Sequence, residues 1–266
     1  MTRYSNTRLT QFENCPYAYD LKYNKKIETP YNTIEAFMGS RVHEALEKLY
    51  TDLQNDRMDS LEEILAYYDD RWFQEFDSGT IINNSKYSDD EQMEIGEQCI
   101  IRYYERMKPF DQISIAGLET DDELQLPDGN TYSVRIDKFG FKDGVFYVCD
   151  YKTSSWMKSQ YEADNDRQLQ MYALWVKRRY GLTKKVKMVW HMLKFDEDVE
   201  SERSLPILEA CEQQVVREIA EIESCTNWEP RQSNLCGWCT YRHMCPCFVK
   251  EPENGDEGDP DYVMDI

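Results

Sequence analysis

No run of 18 apolar residues occurs in this chain, so no membrane-spanning helix is expected. No basic and then apolar leader opens it, which leaves no sign of secretion and points to a cytoplasmic protein. No G-x-x-x-x-G-K-[ST] motif is present, so neither ATP nor an ATP-driven motor is expected. No internal repeat is visible. A surplus of base is missing too: 31 Lys and Arg face 51 Asp and Glu, a net charge of −20. Phosphate binding runs on Lys and Arg, so this balance counts against a tight, non-specific duplex binder. Residues 251–266 hold seven acids and no base, which leaves 31 bases against 44 acids, or −13, for residues 1–250. That remainder calls for a locally basic path, or for metal ions, if phosphates are to be held.

What is there suits a folded protein. The chain has 266 residues, 41% hydrophobic and 31% charged, enough for one well-cored domain with elaborations. The apolar spacing predicts helices from about Asn6 to Tyr23 (interrupted near Pro16), from about Gly39-Ser40 onward, and over 60–76 and 89–107, with a loop at Asp77–Ser88. The pattern then changes. Leu118–Leu126, Thr131–Phe141 and Val145–Lys152 read as an antiparallel meander of strands, punctuated by Asp128-Gly129 and Asp143-Gly144. A helix over about 164–180, a strand at Lys187–Leu193 and a helix over about 206–223 follow. The strand–helix–strand crossover predicts that the fourth strand runs parallel to the third. Residues 251–266 read as a disordered acidic tail. Its apolar tip, Tyr262-Val263-Met264-Asp265-Ile266, leaves room for a protein partner.

The most informative segment joins Asp137 to Asp150-Tyr151-Lys152. If Asp143-Gly144 is a two-residue turn, Lys142 pairs with Val145 and Asp137 lies directly opposite Asp150. Opposed residues share a face, and Lys152, two positions on, shares it too. Two like charges so placed repel unless a cation sits between them, and Mg²⁺ and Mn²⁺ prefer carboxylate oxygens. A bound metal lowers the pKa of its water, and a nearby Lys can position that water or stabilise the charged transition state. This is a kit for phosphodiester hydrolysis. A solvated polar face carrying two acids is the plain alternative.

The order of motifs around that segment resembles the PD-(D/E)XK nucleases, and their RecB-like branch in particular. Gly39-Ser40-Arg41-Val42-His43 resembles the branch's G-x-x-x-H helix. Asp137 followed by Asp150-Tyr151-Lys152-Thr153 resembles its catalytic strands, and Gln168-Leu169-Gln170-Met171-Tyr172 its Q-x-x-x-Y helix. The resemblance implies an α/β fold with a mixed sheet flanked by helices and an N-terminal helical elaboration, in one domain over residues 1–250. It implies Mg²⁺ or Mn²⁺ held by His43, Asp137, Asp150 and the Tyr151 carbonyl. Asp137, Asp150 and Lys152 would be catalytic, with Gln168 and Tyr172 contacting the substrate or orienting Lys152. One departure stands out: many members carry a glycine two residues before the first Asp, where this chain has Arg135, which bears on how the scissile strand approaches and leaves the metal ligands intact.

Nine cysteines are an odd number, and without export they suit metal ligation better than disulfides. Cys236-x2-Cys239-x5-Cys245-Pro246 near one end and Cys15-Pro16 near the other can complete a four-thiolate site. Spacing alone does not separate iron–sulfur from zinc, and His243 or Cys247 are alternative ligands. The arrangement resembles the 4Fe-4S staple of the AddB nuclease domain and of the CRISPR-associated Cas-four nucleases. That resemblance implies an iron–sulfur cluster on Cys15, Cys236, Cys239 and Cys245, closing the C-terminal segment onto the N-terminal helix. Cys99, Cys149, Cys211 and Cys225 read as buried small hydrophobes.

The expected function is therefore metal-dependent hydrolysis of DNA, exonucleolytic on single-stranded or free ends. The setting would be repair, recombination, phage DNA processing or spacer trimming. A protein that keeps the fold and binds DNA ends without cutting is the rival, favoured by the acidity and disfavoured by Lys152. Candidate phosphate contacts are Arg102, Arg106, Lys108, Arg167, Lys177, Arg178 and Arg179.

Overall fold

A computed structural model describes residues 2–249. The N-terminal part holds strand β1 (Arg3–Tyr4), helix α1 (Asn6–Asn14), helix α2 (Pro16–Tyr19) running into a π-helical turn at Asp20–Asn24, strand β2 (Asn32–Thr33), helices α3 (Ile34–Gln54) and α4 (Leu61–Glu75), strand β3 (Ile81–Ile82) and helix α5 (Asp89–Met107). Strands β4 (Ser114–Leu118), β5 (Asp122–Gln125), β6 (Thr131–Val134), β7 (Lys138–Lys142) and β8 (Val145–Lys152) come next. Helices α6 (Gln160–Asp164) and α7 (Arg167–Tyr180), strands β9 (Lys185–Met192) and β10 (Glu197–Glu202), and helix α8 (Leu205–Ser224) complete the core. Two short 3₁₀ turns, Asn234–Trp238 and Arg242–Met244, carry the last cysteines.

The predicted helices are found, with earlier or sharper starts where a cap decides. Helix α3 begins at Ile34 rather than near Gly39, because the Thr33 hydroxyl accepts the Ala36 N–H. Ser60 and Ser88 close reciprocal capping boxes with Glu63 and Glu91 at the starts of α4 and α5.

The central sheet has the order β10-β9-β8-β7-β4. The turn between β7 and β8 has Asp143 at φ 50° and Gly144 at φ 81°, the left-handed pair that a two-residue hairpin needs. Lys142 pairs with Val145 and Lys138 with Cys149, the predicted register. Strand β9 runs parallel to β8, also as predicted. Strand β10 is an addition. Its sequence, Glu-Asp-Val-Glu-Ser-Glu, has little strand propensity, yet it covers the edge of β9 with only Val199 and Ser201 buried.

The two longer predicted strands do not run straight. Each breaks at a corner, at residues 119–121 and 135–137, and its other half joins a separate sheet of order β1-β6-β5. The two chains stay paired through the bend. Glu119 and Thr120 donate their N–H groups to the carbonyls of Asp137 and Ile136 (3.1 Å each), and the Thr120 hydroxyl accepts the Ile136 N–H at 2.9 Å. Glu119 itself takes φ 39°. A register shift between Ile115 and Gly117 precedes the corner, as bulges do where a strand must turn.

The central sheet is covered on both faces. One core gathers Val148, Met188 and Trp190 with α7, α8 and the smaller sheet. The other packs Tyr151 and Leu193 against α3, α4 and α5. Alternation along β8 therefore sends Tyr151 toward α3–α5, and Asp150 and Lys152 the other way. Behind the sheet, Lys138 is fully buried with its ammonium on the hydroxyls of Tyr103 (2.6 Å) and Tyr50 (3.0 Å). Among the described residues, no helix is long and apolar enough to cross a membrane. The acidic tail and its docking tip lie outside the described residues.

Candidate functional site

The C-terminal end of β8, the corner before β7 and the second turn of α3 meet at one cleft. Gly39 makes the meeting possible: a Cβ there would stand 3.0 Å from the Thr153 hydroxyl, closer than packed side chains comfortably approach. One helical turn on from Gly39, His43 reaches the strand ends, with its Nε2 3.0 Å from the Tyr151 carbonyl. Donation from Nε2 leaves Nδ1 facing the carboxylates of Asp137 (3.5 Å) and Glu119 (3.9 Å). The Asp137 carboxylate accepts the Tyr151 N–H at 2.7 Å, across the hairpin. The Tyr151 carbonyl keeps a second lone pair beyond the one His43 uses.

His43, Glu119 and Asp137 offer one ligand atom each within 4.8 Å of one another. Asp150, also buried, sits beside them, and its Oδ2 lies 2.5 Å from the Lys152 ammonium. Among the described residues the Lys152 ammonium is the one partner of that oxygen. One lysine faces two buried carboxylates, Asp137 and Asp150, and a second cation beside them would lower their mutual repulsion. The donor set, one imidazole nitrogen and carboxylate oxygens, fits a divalent metal ion.

Charge in the cleft is tightly balanced. Burial lowers the proton affinity of His43, but Asp137, Glu119 and Asp150 outweigh it and raise its pKa to about 9. Burial raises the Asp137 pKa, with Asp150 and Glu119 adding to the rise and His43 opposing it. Burial opposes the charge of Lys152, yet Asp150 holds its pKa above the usual lysine range. A folded-state pKa above its unfolded value means stability at low pH that is lost as pH rises through the folded value. Both His43 and Asp137 have that sign. The metal-free protein is therefore expected to lose stability from weakly acidic pH up to about 9. A divalent metal replaces the protons, so Mn²⁺ is expected to raise Tm more at about pH 8.5 than at about pH 6. Thermal melts with and without Mn²⁺ at the two values check this; an equal rise at both removes His43 from the metal site.

Gln168 and Tyr172 face each other on α7, with the Gln168 amide on the Tyr172 hydroxyl at 3.2 Å. The Tyr172 hydroxyl is buried, and burial raises its pKa to about 12. Gln168 makes no hydrogen bond to Lys152 among the described residues. Glu119 is the residue that the sequence reading missed. It stands in no motif, and only the sheet corner carries it to His43 and Asp137.

Most of the expected phosphate contacts are spent inside the fold. Arg106 is held by Asp196 and Asp198, Arg167 by Glu13 and Glu218, and Arg178 by Glu212. The Lys177 ammonium is buried on the Lys184 carbonyl, and Arg102 donates to the Lys194 carbonyl at 2.6 Å. Arg179 lies 3.6 Å from Asp122, and Lys108 rests over the Tyr104 ring. Tyr241 is buried with its hydroxyl on the Ile27 carbonyl.

Comparison with known proteins adds the family. The model of the PD-(D/E)XK nuclease superfamily matches residues 3–246. The chain belongs to the PD-(D/E)XK nuclease superfamily. Its mixed α/β architecture, sheets flanked by helices, is the one that membership carries. PD-(D/E)XK nucleases work with divalent metals, which agrees with the His43–Glu119–Asp137 cluster. No curated protein matches the chain. A solved structure titled "Crystal structure of SSO0001" is similar over 94% of this chain and 88% of its own, at 16% identity and a TM-score of 0.43, too distant to argue from.

A second region gathers the distant cysteines. Cys15, Cys236, Cys239 and Cys245 all line one cavity of about 350 Å³ between α1–α2 and the C-terminal turns. His243 and Cys247, the alternative ligands, are not among its lining residues; His243 lies against Tyr31, and Cys247 is exposed. Two of the four sulfurs receive a backbone N–H: Arg231 donates to Cys15 and Ser233 to Cys236, both at 3.4 Å. Of the other four, Cys99 and Cys149 are buried, while Cys211 and Cys225 are half-buried.

Proposed function

We propose that residues 1–250 act as one nuclease domain that hydrolyses DNA with Mg²⁺ or Mn²⁺, exonucleolytically on single-stranded or free ends. The observation that carries this is the meeting of His43, Glu119 and Asp137 ligand atoms beside the buried Asp150–Lys152 ion pair. His43, Glu119, Asp137 and Asp150 hold the metal, with the Tyr151 carbonyl able to add a further oxygen. The metal, when bound, supplies an activated water and neutralises charge on the phosphate. Lys152 keeps its proton and stabilises the negative charge that builds on the attacked phosphate. Its raised proton affinity suits that role better than abstracting a proton. Gln168 and Tyr172 contact the substrate strand or orient Lys152 in this reading.

The four cysteines hold a 4Fe-4S cluster in the same reading. Thiolates selected for metal binding are commonly met by N–H groups, which tune and fix them.

The test is cleavage of end-labelled single-stranded DNA by anaerobically purified protein, with Mn²⁺, with Mg²⁺ and with chelator. A metal-dependent ladder is expected. Binding of DNA ends without cutting under every metal condition would favour the silent, end-binding alternative.

A further inference from the structure

We propose that Arg135 grips a phosphate of the nucleic-acid strand entering the cleft, an assignment that rests on the nuclease reading above. The cleft holds about 680 Å³, and its wall carries Glu35, Glu44, Glu47, Glu119, His43 and Arg135. A polyanion entering there meets four carboxylates, and Arg135 is the one permanent cation among the lining residues. It is exposed and enters no ion pair among the described residues. The carboxylates nearby are claimed by others. Glu44 is tied to Arg41 and Arg71, Glu119 faces His43, and Asp121, whose charge Arg135 feels, is tied to Arg3.

Placement argues for the same role. Arg135 stands at the sheet corner two residues before Asp137, next to Ile136, whose N–H and carbonyl are both held by Thr120. The root of the side chain is thus fixed relative to the carboxylates while the guanidinium stays in the cleft. A guanidinium fork matches two phosphate oxygens at once, which an ammonium cannot do. Since Arg102, Arg106, Arg167 and Arg178 are engaged elsewhere, the strand depends on Arg135 and the metal for its grip at this point.

The experiment measures affinity for a fluorescent single-stranded oligonucleotide against salt, with Mn²⁺, in a Lys152→Ala background that does not cut. Adding Arg135→Ala is expected to weaken binding about tenfold and to reduce the salt slope by about one. Arg135→Lys should keep the slope but recover only part of the affinity. The exposed side chain predicts an unchanged Tm for both. Affinity and slope equal to the parent's would overturn the assignment while cleavage by the wild type still upheld the nuclease reading. A wild type that neither binds nor cuts any strand would sink both.

Discussion

Lys152→Ala is expected to lower the rate of strand cleavage by about 10²–10⁴-fold, the range for losing one positioned charge or proton-transfer group. The ammonium sits 2.5 Å from Asp150 Oδ2, on the face shared with Asp137. It is the one side chain at this point that can meet charge on the attacked phosphate without being a metal ligand. The substitution has a second consequence. Asp150 and Asp137 are both buried, and without Lys152 the metal-free protein must hold them with less compensation. The variant should therefore melt lower than wild type without metal and recover much of the difference with Mn²⁺. Inactivity with a restored Tm locates the loss in chemistry rather than folding. Cleavage within a few-fold of wild type would remove Lys152 from the mechanism.

Cys245→Ala is expected to strip the cluster and most of the stability of the C-terminal segment together. Residues 226–249 contribute only two 3₁₀ turns; Trp228 stacks on Tyr19 of α2, and beyond it the small apolar cluster on α2 has Ala18, Leu21 and Tyr241 buried. Polar ties such as Tyr17 to the Met244 carbonyl (3.2 Å) and Thr29 to the Thr240 carbonyl (3.2 Å) are few and half-buried. A link from Cys15 to Cys236 closes a loop of 221 positions, worth about 5 kcal/mol in chain entropy by the cross-link estimate. The variant should lose iron, lose the visible absorption of the cluster, and become insoluble or melt far below wild type. Iron and zinc content measured on the wild type separates the cluster from a zinc site. A colourless variant with an unchanged Tm would show that nothing is stapled there.

Local signals carried far in this chain. Asp143-Gly144 specifies its own turn, because Gly144 takes the left-handed backbone freely and Asp143 tolerates it. Once that turn is set, strand alternation leaves no choice: Asp137 meets Asp150, and Lys152 follows on their face. Ser60 and Ser88 likewise carry their helix starts in four residues each. All of these depend on neighbours within about fifteen positions, where turn geometry and periodicity act directly.

Other features depend on where the chain bends in space. Glu119 reaches the site because two strands break together at a corner, and no period in the sequence marks that break. Edge strand β10 exists because β9 offers it a ladder, against the propensity of its own acidic residues. The basic residues of α5 and α7 looked available in sequence, yet Asp198, Glu218 and Glu212 arrive from later elements to neutralise them. The sequence by itself thus determined the carboxylate–lysine face, the sense of β9 and the family. Tertiary structure decided which further carboxylate joins His43, which cation faces the cleft, and that Cys15 lines the same cavity as Cys236, Cys239 and Cys245. Period and turn act through the few residues that set backbone angles. Charge and ligation act through space, between residues that only the folded chain makes neighbours.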